Sequence, residues 1–206
     1  MRMTLTLATL VPPPSAPLKS NFLSVMHKTT PVINAPMNSR IFVSVVVFVG
    51  MVFSAWGEEE GVRDIRAKAE AGDSNAQFAL GVMYDVGEGV PRNDVEAVKW
   101  YRLSAEQGNA RAQYNLGVMY FLGRGVPKDD AKAVKWLRLS AEQGDSNAQN
   151  NLGLMYSLGR GVPKDLVLAY KWLNLASANG DENAIKNRGV VEEEMTPAQI
   201  EEGQRI

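Results

Sequence analysis

The sequence predicts an all-α protein, a solenoid of stacked two-helix repeats, and three observations carry that prediction. The first is a period of 36 residues: Trp100, Trp136 and Trp172 keep this step, as do Tyr84, Tyr120 and Tyr156, and Pro91, Pro127 and Pro163. Aligned without gaps, residues 73–108 match 109–144 at 23 of 36 positions, and the latter match 145–180 at 21. Self-similarity of this kind decides the fold before any single element is assigned. The second observation is that each unit holds two apolar stripes at helical spacing. The third is the punctuation: a glycine-proline segment separates the stripes, and Gly72, Gly108, Gly144 and Gly180 close successive units.

Taken in chain order, residues 1–36 hold six of the ten prolines and show no sustained helical or strand periodicity, so they read as a disordered leader. A start of translation at Met37 would leave them untranslated. From Ile41 to Trp56 runs a stretch of sixteen residues without a charge, preceded by Arg40 and followed by Glu58, Glu59 and Glu60. A membrane span needs about 20 apolar residues, and Ala55-Trp56-Gly57 suits a signal peptidase. Residues 37–57 therefore read as a signal peptide cleaved near Gly57, with a periplasmic or secreted product. The alternative is an uncleaved anchor over residues 41–56.

Residues 58–73 are expected to form an N-terminal capping helix, because Arg63–Glu70 keeps the frame of a unit's second helix with Ile65 and Ala69 on its face. Three units fill residues 74–181. In the middle one, Ala112, Leu116, Met119 and Tyr120 follow i, i+4, i+7 and i+8, one face of a helix, here called A. Gly123-Arg124-Gly125-Val126-Pro127 then forbids continuation. A second helix, B, starts with Asp129 or Asp130 as cap, carries Ala133, Val134, Leu137 and Ala141, and ends at Gly144, which suits a left-handed C-cap. Asn93 and Glu96 stand in the spacing of a capping box. Such a unit cannot bury its apolar face alone, so neighbours share one core. Residues 182–206 close the other end: Ala184 and Gly189 keep the frame of helix A, Arg188 replaces the repeating leucine, and Thr196-Pro197-Ala198-Gln199 starts a short tail helix.

Composition narrows the chemistry. The chain has no cysteine and one histidine, His27, so disulfides, zinc knuckles, thiol nucleophiles and, beyond residue 57, catalytic triads are excluded. Residues 1–57 carry Arg2, Lys19, Lys28 and Arg40 and no acid, which leaves 18 basic and 23 acidic groups in residues 58–206, a net of −5. That is no footprint for nucleic acid. Gly87-Glu88-Gly89 and its counterparts at 123–125 and 159–161 follow no strand and lack the third glycine of a phosphate loop. Glu106 and Glu142 are equivalent surface positions one period apart, so they do not read as an acid/base pair. The tryptophans read as packing between repeats. No catalytic, cofactor or metal site is expected, and the chain reads as a non-enzyme.

The pattern Ala112-Gln113, Leu116-Gly117, Met119-Tyr120, Gly123, Gly125-Val126-Pro127, Ala133, Lys135-Trp136, Ala141 and Gly144, with its counterparts one period away, resembles the Sel-one-like repeat family, short relatives of the tetratricopeptide repeat. The closing Met195-Thr196-Pro197-Ala198-Gln199-Ile200 looks like the tail helix of many exported members. The resemblance implies an α/α superhelical solenoid acting as a scaffold or adaptor for other proteins. Some secreted relatives, rich in cysteine, have been linked to β-lactam binding or hydrolysis, and this chain lacks those cysteines.

By analogy with tetratricopeptide repeats, the inner face is the side of helix A opposite Leu80 and Gly81. It carries Asn75, Phe78, Val82 and Asp85 in the first unit, Arg111, Tyr114, Val118 and Phe121 in the second, and Asn147, Asn150, Leu154 and Ser157 in the third. Large aromatics on a variable face are the usual anchors of an interface, and Arg111 can engage a carboxylate. Phe78, Asp85, Arg111, Tyr114, Phe121 and Asn150 are thus the expected partner-binding residues, although aromatics there could also just fill a narrow groove. The expected function is an exported scaffold for a protein or extended peptide. A secreted β-lactamase-like hydrolase relying on carboxylates and a purely structural spacer are the alternatives. Contact with membrane is expected only through an uncleaved N-terminal segment, and a monomer is expected unless an exposed solenoid end recruits a second copy.

Overall fold

In a computed structural model of the chain, described over residues 60–205, helix follows helix and no strand occurs among the described residues. The expectations for residues 1–36, the signal peptide at 37–57 or anchor at 41–56, the start at Met37 and His27 lie outside the described residues. The helices are α1 (Glu60–Glu70), α2 (Ser74–Val86), α3 (Asp94–Glu106), α4 (Ala110–Leu122), α5 (Asp130–Glu142), α6 (Ser146–Leu158), α7 (Leu166–Ala178), α8 (Glu182–Glu192) and α9 (Pro197–Arg205). Thus α2, α4 and α6 are the A helices of the three units, and α3, α5 and α7 are the B helices.

Capping residues set these limits. The A helices begin at Asp73, Asn109 and Asp145, whose side chains accept the backbone N–H of Ala76, Ala112 and Ala148 at 2.7, 3.1 and 2.8 Å, and Asp181 does the same for α8. They end where Gly87, Gly123 and Gly159 take up left-handed backbone. Asp129, rather than Asp130, caps α5 by accepting from Lys132 N. Asn93 accepts from the backbone of both Val95 and Glu96. At the tail, both halves of a capping box form: Thr196 N donates to Gln199 Oε1 at 2.9 Å, and Gln199 N to Thr196 Oγ1 at 3.4 Å.

The core runs along the solenoid where A and B helices meet. Leu80, Leu116 and Leu152 of the A helices and Leu137 and Leu173 of the B helices have no exposed surface. Beside each A-helix leucine a glycine lets the partner helix close in: a Cβ on Gly81, Gly117 or Gly153 would collide with Tyr101, Leu137 or Leu173. At the N-terminal end, Ala69 and Ile65 of α1 join Ala76, Leu80 and Trp100, so α1 acts as the B helix of a missing unit. At the C-terminal end, α8 continues the A series through the buried Ala184, and α9 lies on α7, with Gly203 against the Tyr170 ring and Gln204 donating to its hydroxyl at 3.2 Å. None of the large apolar side chains exposed among the described residues belongs to α1 or α9, so both covering helices present polar outer surfaces.

Candidate binding face of the A helices

Two sets of polar contacts hold each unit in register with the next, and so fix the shape of any face they share. In the first, Gln113 Nε2 donates to the Ala105 carbonyl at 3.1 Å while its Oε1 accepts from Gln143 at 2.7 Å; Gln77 and Gln149 repeat the arrangement toward Ala69 and Ala141. Arg66, Arg102 and Arg138 donate to the hydroxyls of Tyr84, Tyr120 and Tyr156 at 3.2, 2.9 and 2.6 Å.

The second set is charged. Arg124, between the two glycines of the turn after α4, reaches back to Asp94 at the start of α3 and to Asp85 at the end of α2, at 2.8 and 2.5 Å. Arg160 does the same to Asp130 at 3.0 Å. The Arg124 guanidinium holds the Asp94 carboxyl below its usual range, and its bonds to Asp94 and Asp85 raise its own pKa. The clip needs the glycine that follows: a Cβ on Gly125 would strike the Asp94 carbonyl, and one on Gly161 the Asp130 carbonyl. Sequence reasoning missed this contact, yet the signal was there. Arginine stands between the glycines only at 124 and 160, where a preceding B helix offers Asp94 or Asp130; the first unit has Glu88 instead, and the third B helix starts with Leu166.

Against this framework the six expected binding residues divide. Phe78 and Tyr114 are half-buried, with Val82 and Val118 in the same rows, and Arg111 is exposed, with no carboxylate partner among the described residues. Burial and the nearby Asp145 push the Tyr114 phenol up to about 12, with Asn151 acting in the opposite direction. Asp85 is already committed: it takes Arg124 and accepts the Tyr101 hydroxyl at 3.2 Å. Phe121 and Asn150 do not lie on an open surface as expected, since they are only 6% and 4% exposed. The Arg160 guanidinium covers the Phe121 ring at 4.4 Å, with Lys128 Nζ at 5.7 Å. Asn150 accepts from Asn187 at 2.9 Å because α8 lies over α6, which also buries Leu154 and Ser157. The face is therefore open on α2 and the first three turns of α4, and closed on α6.

No group of three His, Cys, Asp or Glu side chains among the described residues could hold a metal ion, and no described helix is long and apolar enough to cross a membrane. A model of the Sel1 repeat matches residues 74–109, 110–145 and 146–181, more than half of the chain. The chain belongs to the Sel1 repeat family. Among solved structures, the Sel1 repeat protein from Oxalobacter formigenes is 43% identical, covers 64% of this chain and 98% of its own, and superposes with a TM-score of 0.59. The protective antigen c5321 of uropathogenic Escherichia coli strains, with an SLR fold, is 34% identical over 69% of this chain and 38% of its own, at a TM-score of 0.44. Cysteine-rich protein B of Helicobacter pylori is 21% identical over 61% of this chain and 95% of its own, at 0.49. No protein of curated function matches. Sel1 repeat proteins are generally scaffolds for protein interaction.

Proposed function

We propose that this Sel1 repeat protein is an exported scaffold that binds a protein or an extended peptide along the open part of the A-helix face, on α2 and α4. The observation that carries the reading is the gradation just described. The face leaves part of each of the apolar and aromatic side chains Phe78, Val82, Tyr114 and Val118 exposed, and is closed at Asn150, Leu154 and Ser157. Half-buried aromatics flanked by a free cation suit a segment with apolar side chains and a carboxylate for Arg111. The Asn75 carboxamide, which accepts from Asn109 at 3.2 Å, adds a polar group at the rim. Export rests on the apolar run 41–56 and the small residues at its end. Nothing in the fold or the relatives supports the hydrolase alternative.

The test is crosslinking capture from native cells with the full chain as bait, beside a Phe78→Ala, Tyr114→Ala, Arg111→Ala variant whose circular dichroism is unchanged. Loss of the captured protein from the variant supports the face. Equal capture by both baits refutes it and favours the spacer reading. N-terminal sequencing of the protein from its own cells tests export, and an intact Met1 or Met37 on soluble protein overturns it.

A further inference from the structure

The last helix of the A series, α8, keeps the pattern of α2, α4 and α6 but lacks the side chains that hold them. Each of those three carries a glutamine and, three residues on, a leucine: Gln77 and Leu80, Gln113 and Leu116, Gln149 and Leu152. The leucines have no exposed surface. Each glutamine donates to the carbonyl eight residues before it, at Ala69, Ala105 or Ala141 on the preceding helix. In α8 the flanking alanine and glycine remain as Ala184 and Gly189, while Ile185 replaces the glutamine and Arg188 the leucine.

Neither replacement restores the anchor. Ile185 is 47% exposed. Arg188 donates to Asn174 of α7 at 2.9 Å, but its buried Nε, 3.3 Å from Glu192 of its own helix, makes no hydrogen bond. Only Ala184 and Val191 of α8 are buried, against seven residues of α4 and ten of α6, so little apolar surface holds it down. The charged clip is missing as well: Leu166 stands where Asp94 and Asp130 receive an arginine, and Thr196 where Arg124 and Arg160 stand. The neighbouring α7 nonetheless keeps the acceptor. Its Ser177 carbonyl takes the turn amide of Gly180, as those of Ala105 and Ala141 take Gly108 and Gly144, but receives no glutamine on its second lone pair.

We propose that the C-terminal arm, α8 with α9, is a displaceable cover. It opens while the three units stay folded, and the edge of α6 and α7 that it leaves takes an amphipathic helix of a partner, one carrying the glutamine and leucine that α8 lacks. The repeat itself identifies this occupant, since α4 and α6 fill the equivalent places on the units before them with such a helix. A glutamine at the place of Ile185 reaches the Ser177 carbonyl, and a leucine at the place of Arg188 is buried as Leu116 and Leu152 are. Opening breaks the Asn187–Asn150 bond at 2.9 Å. The remainder of the arm resists weakly: α9 has Gln204 on the Tyr170 hydroxyl at 3.2 Å, Met195 and Ile200 are only partly buried, and the Lys164–Glu194 pair is exposed. Phe78, Arg111 and Tyr114 take no part, so this inference stands apart from the proposed function.

Hydrogen exchange of the full chain, read by mass spectrometry, tests the opening. Amides of α8 should exchange at least about tenfold faster than those of α4 and α6. The Ile185→Gln, Arg188→Leu variant restores both anchors and should slow the α8 amides at least about tenfold. Docking is tested by fluorescence anisotropy with a labelled synthetic peptide of residues 145–158, which carries Gln149 and Leu152. The peptide should bind the natural chain. It should bind the restored variant more weakly, by the factor that the variant slows α8 exchange, because apparent affinity scales with the open fraction. The same peptide with Gln149→Ile and Leu152→Arg should not bind. Exchange in α8 as slow as in α4, or unchanged in the restored variant, overturns the opening. A peptide that fails to bind the natural chain, or binds both chains equally, overturns the docking site.

Discussion

Replacing Gly125 by alanine should cost far more than the same change at Gly144, although backbone conformation alone predicts the reverse. Both residues have positive φ, +67° at Gly125 and +91° at Gly144. The first value falls in the left-handed region that an L-residue can reach, and the second lies beyond it. An alanine at Gly144 meets nothing within 4 Å, so its cost is the left-handed strain alone, about 1–2 kcal/mol. At Gly125 the new Cβ runs into the carbonyl and following amide of Asp94, backbone that cannot swing aside. Relief requires moving the turn after α4 away from the start of α3, which also pulls Arg124 from Asp94 and Asp85. Adding overpacking of about 1–3 kcal/mol to the strain gives roughly 2–5 kcal/mol. Urea unfolding followed by tryptophan fluorescence and far-ultraviolet circular dichroism measures both variants. A Gly144→Ala variant destabilised as much as Gly125→Ala would show that the turn is not held against the preceding unit, and the account of the junction would fall.

Leu116→Ala, at a side chain with no exposed surface, should lose about 2–5 kcal/mol in the same assay, whereas Leu122→Ala, 40% exposed, should lose under about 1 kcal/mol. Gln113→Ala leaves the Ala105 carbonyl and the Gln143 carboxamide without their partner and should cost about 1–3 kcal/mol, while Gln143→Ala, at an exposed residue, should cost less. Since Asp94 has its folded pKa lowered by Arg124, its contribution is full above the ordinary carboxylate value near 3.8 and disappears as pH falls through the lower folded value. Arg124→Gln should therefore narrow the stability difference between pH 7 and pH 3, and an unchanged acid profile would contradict the pairing. Tyr114, raised to about 12 chiefly by burial, keeps its proton while the unfolded chain loses it, so stability should fall as pH rises above about 10. Tyr114→Phe should flatten that alkaline fall.

How much of this was legible depended on whether a contact lay within a unit or between units. The two-helix architecture was readable because apolar spacing, turn glycines and capping side chains are local and repeat every 36 residues. Asp129 and the Thr196–Gln199 box acted as their spacing suggested, with the choice between Asp129 and Asp130 left to the structure, whereas Asn93 caps α3 without the reciprocal bond from Glu96, because the Asn93 N–H is taken by the Tyr84 carbonyl and Glu96 pairs with Lys99. The A-helix face was harder. The accessibility of its rows depends on what lies across them. Phe121 is covered by Arg160 from the next unit and Asn150 by Asn187 from α8, partners 39 and 37 residues away that no helical period reveals. Phe78 and Tyr114 are half-buried, Phe78 with Tyr101 against its ring and Tyr114 beside Asn151, and Arg111 is exposed.

The Arg124–Asp94 junction also bears on how such a chain can change length. The middle unit, residues 110–145, carries both halves of the junction, Arg124 to reach backward and Asp130 to be reached, together with Gln113 and Gln143 for the neighbouring contacts. The first unit has lost the backward arm and the third has lost the receiving acid. Only the middle unit is therefore a cassette whose tandem copies would each carry the reaching arginine and the receiving Asp130, with Phe121 rather than a second acid beneath the arginine. Lengthening by whole cassettes would leave the two covering ends untouched while adding one A helix to the face at each step.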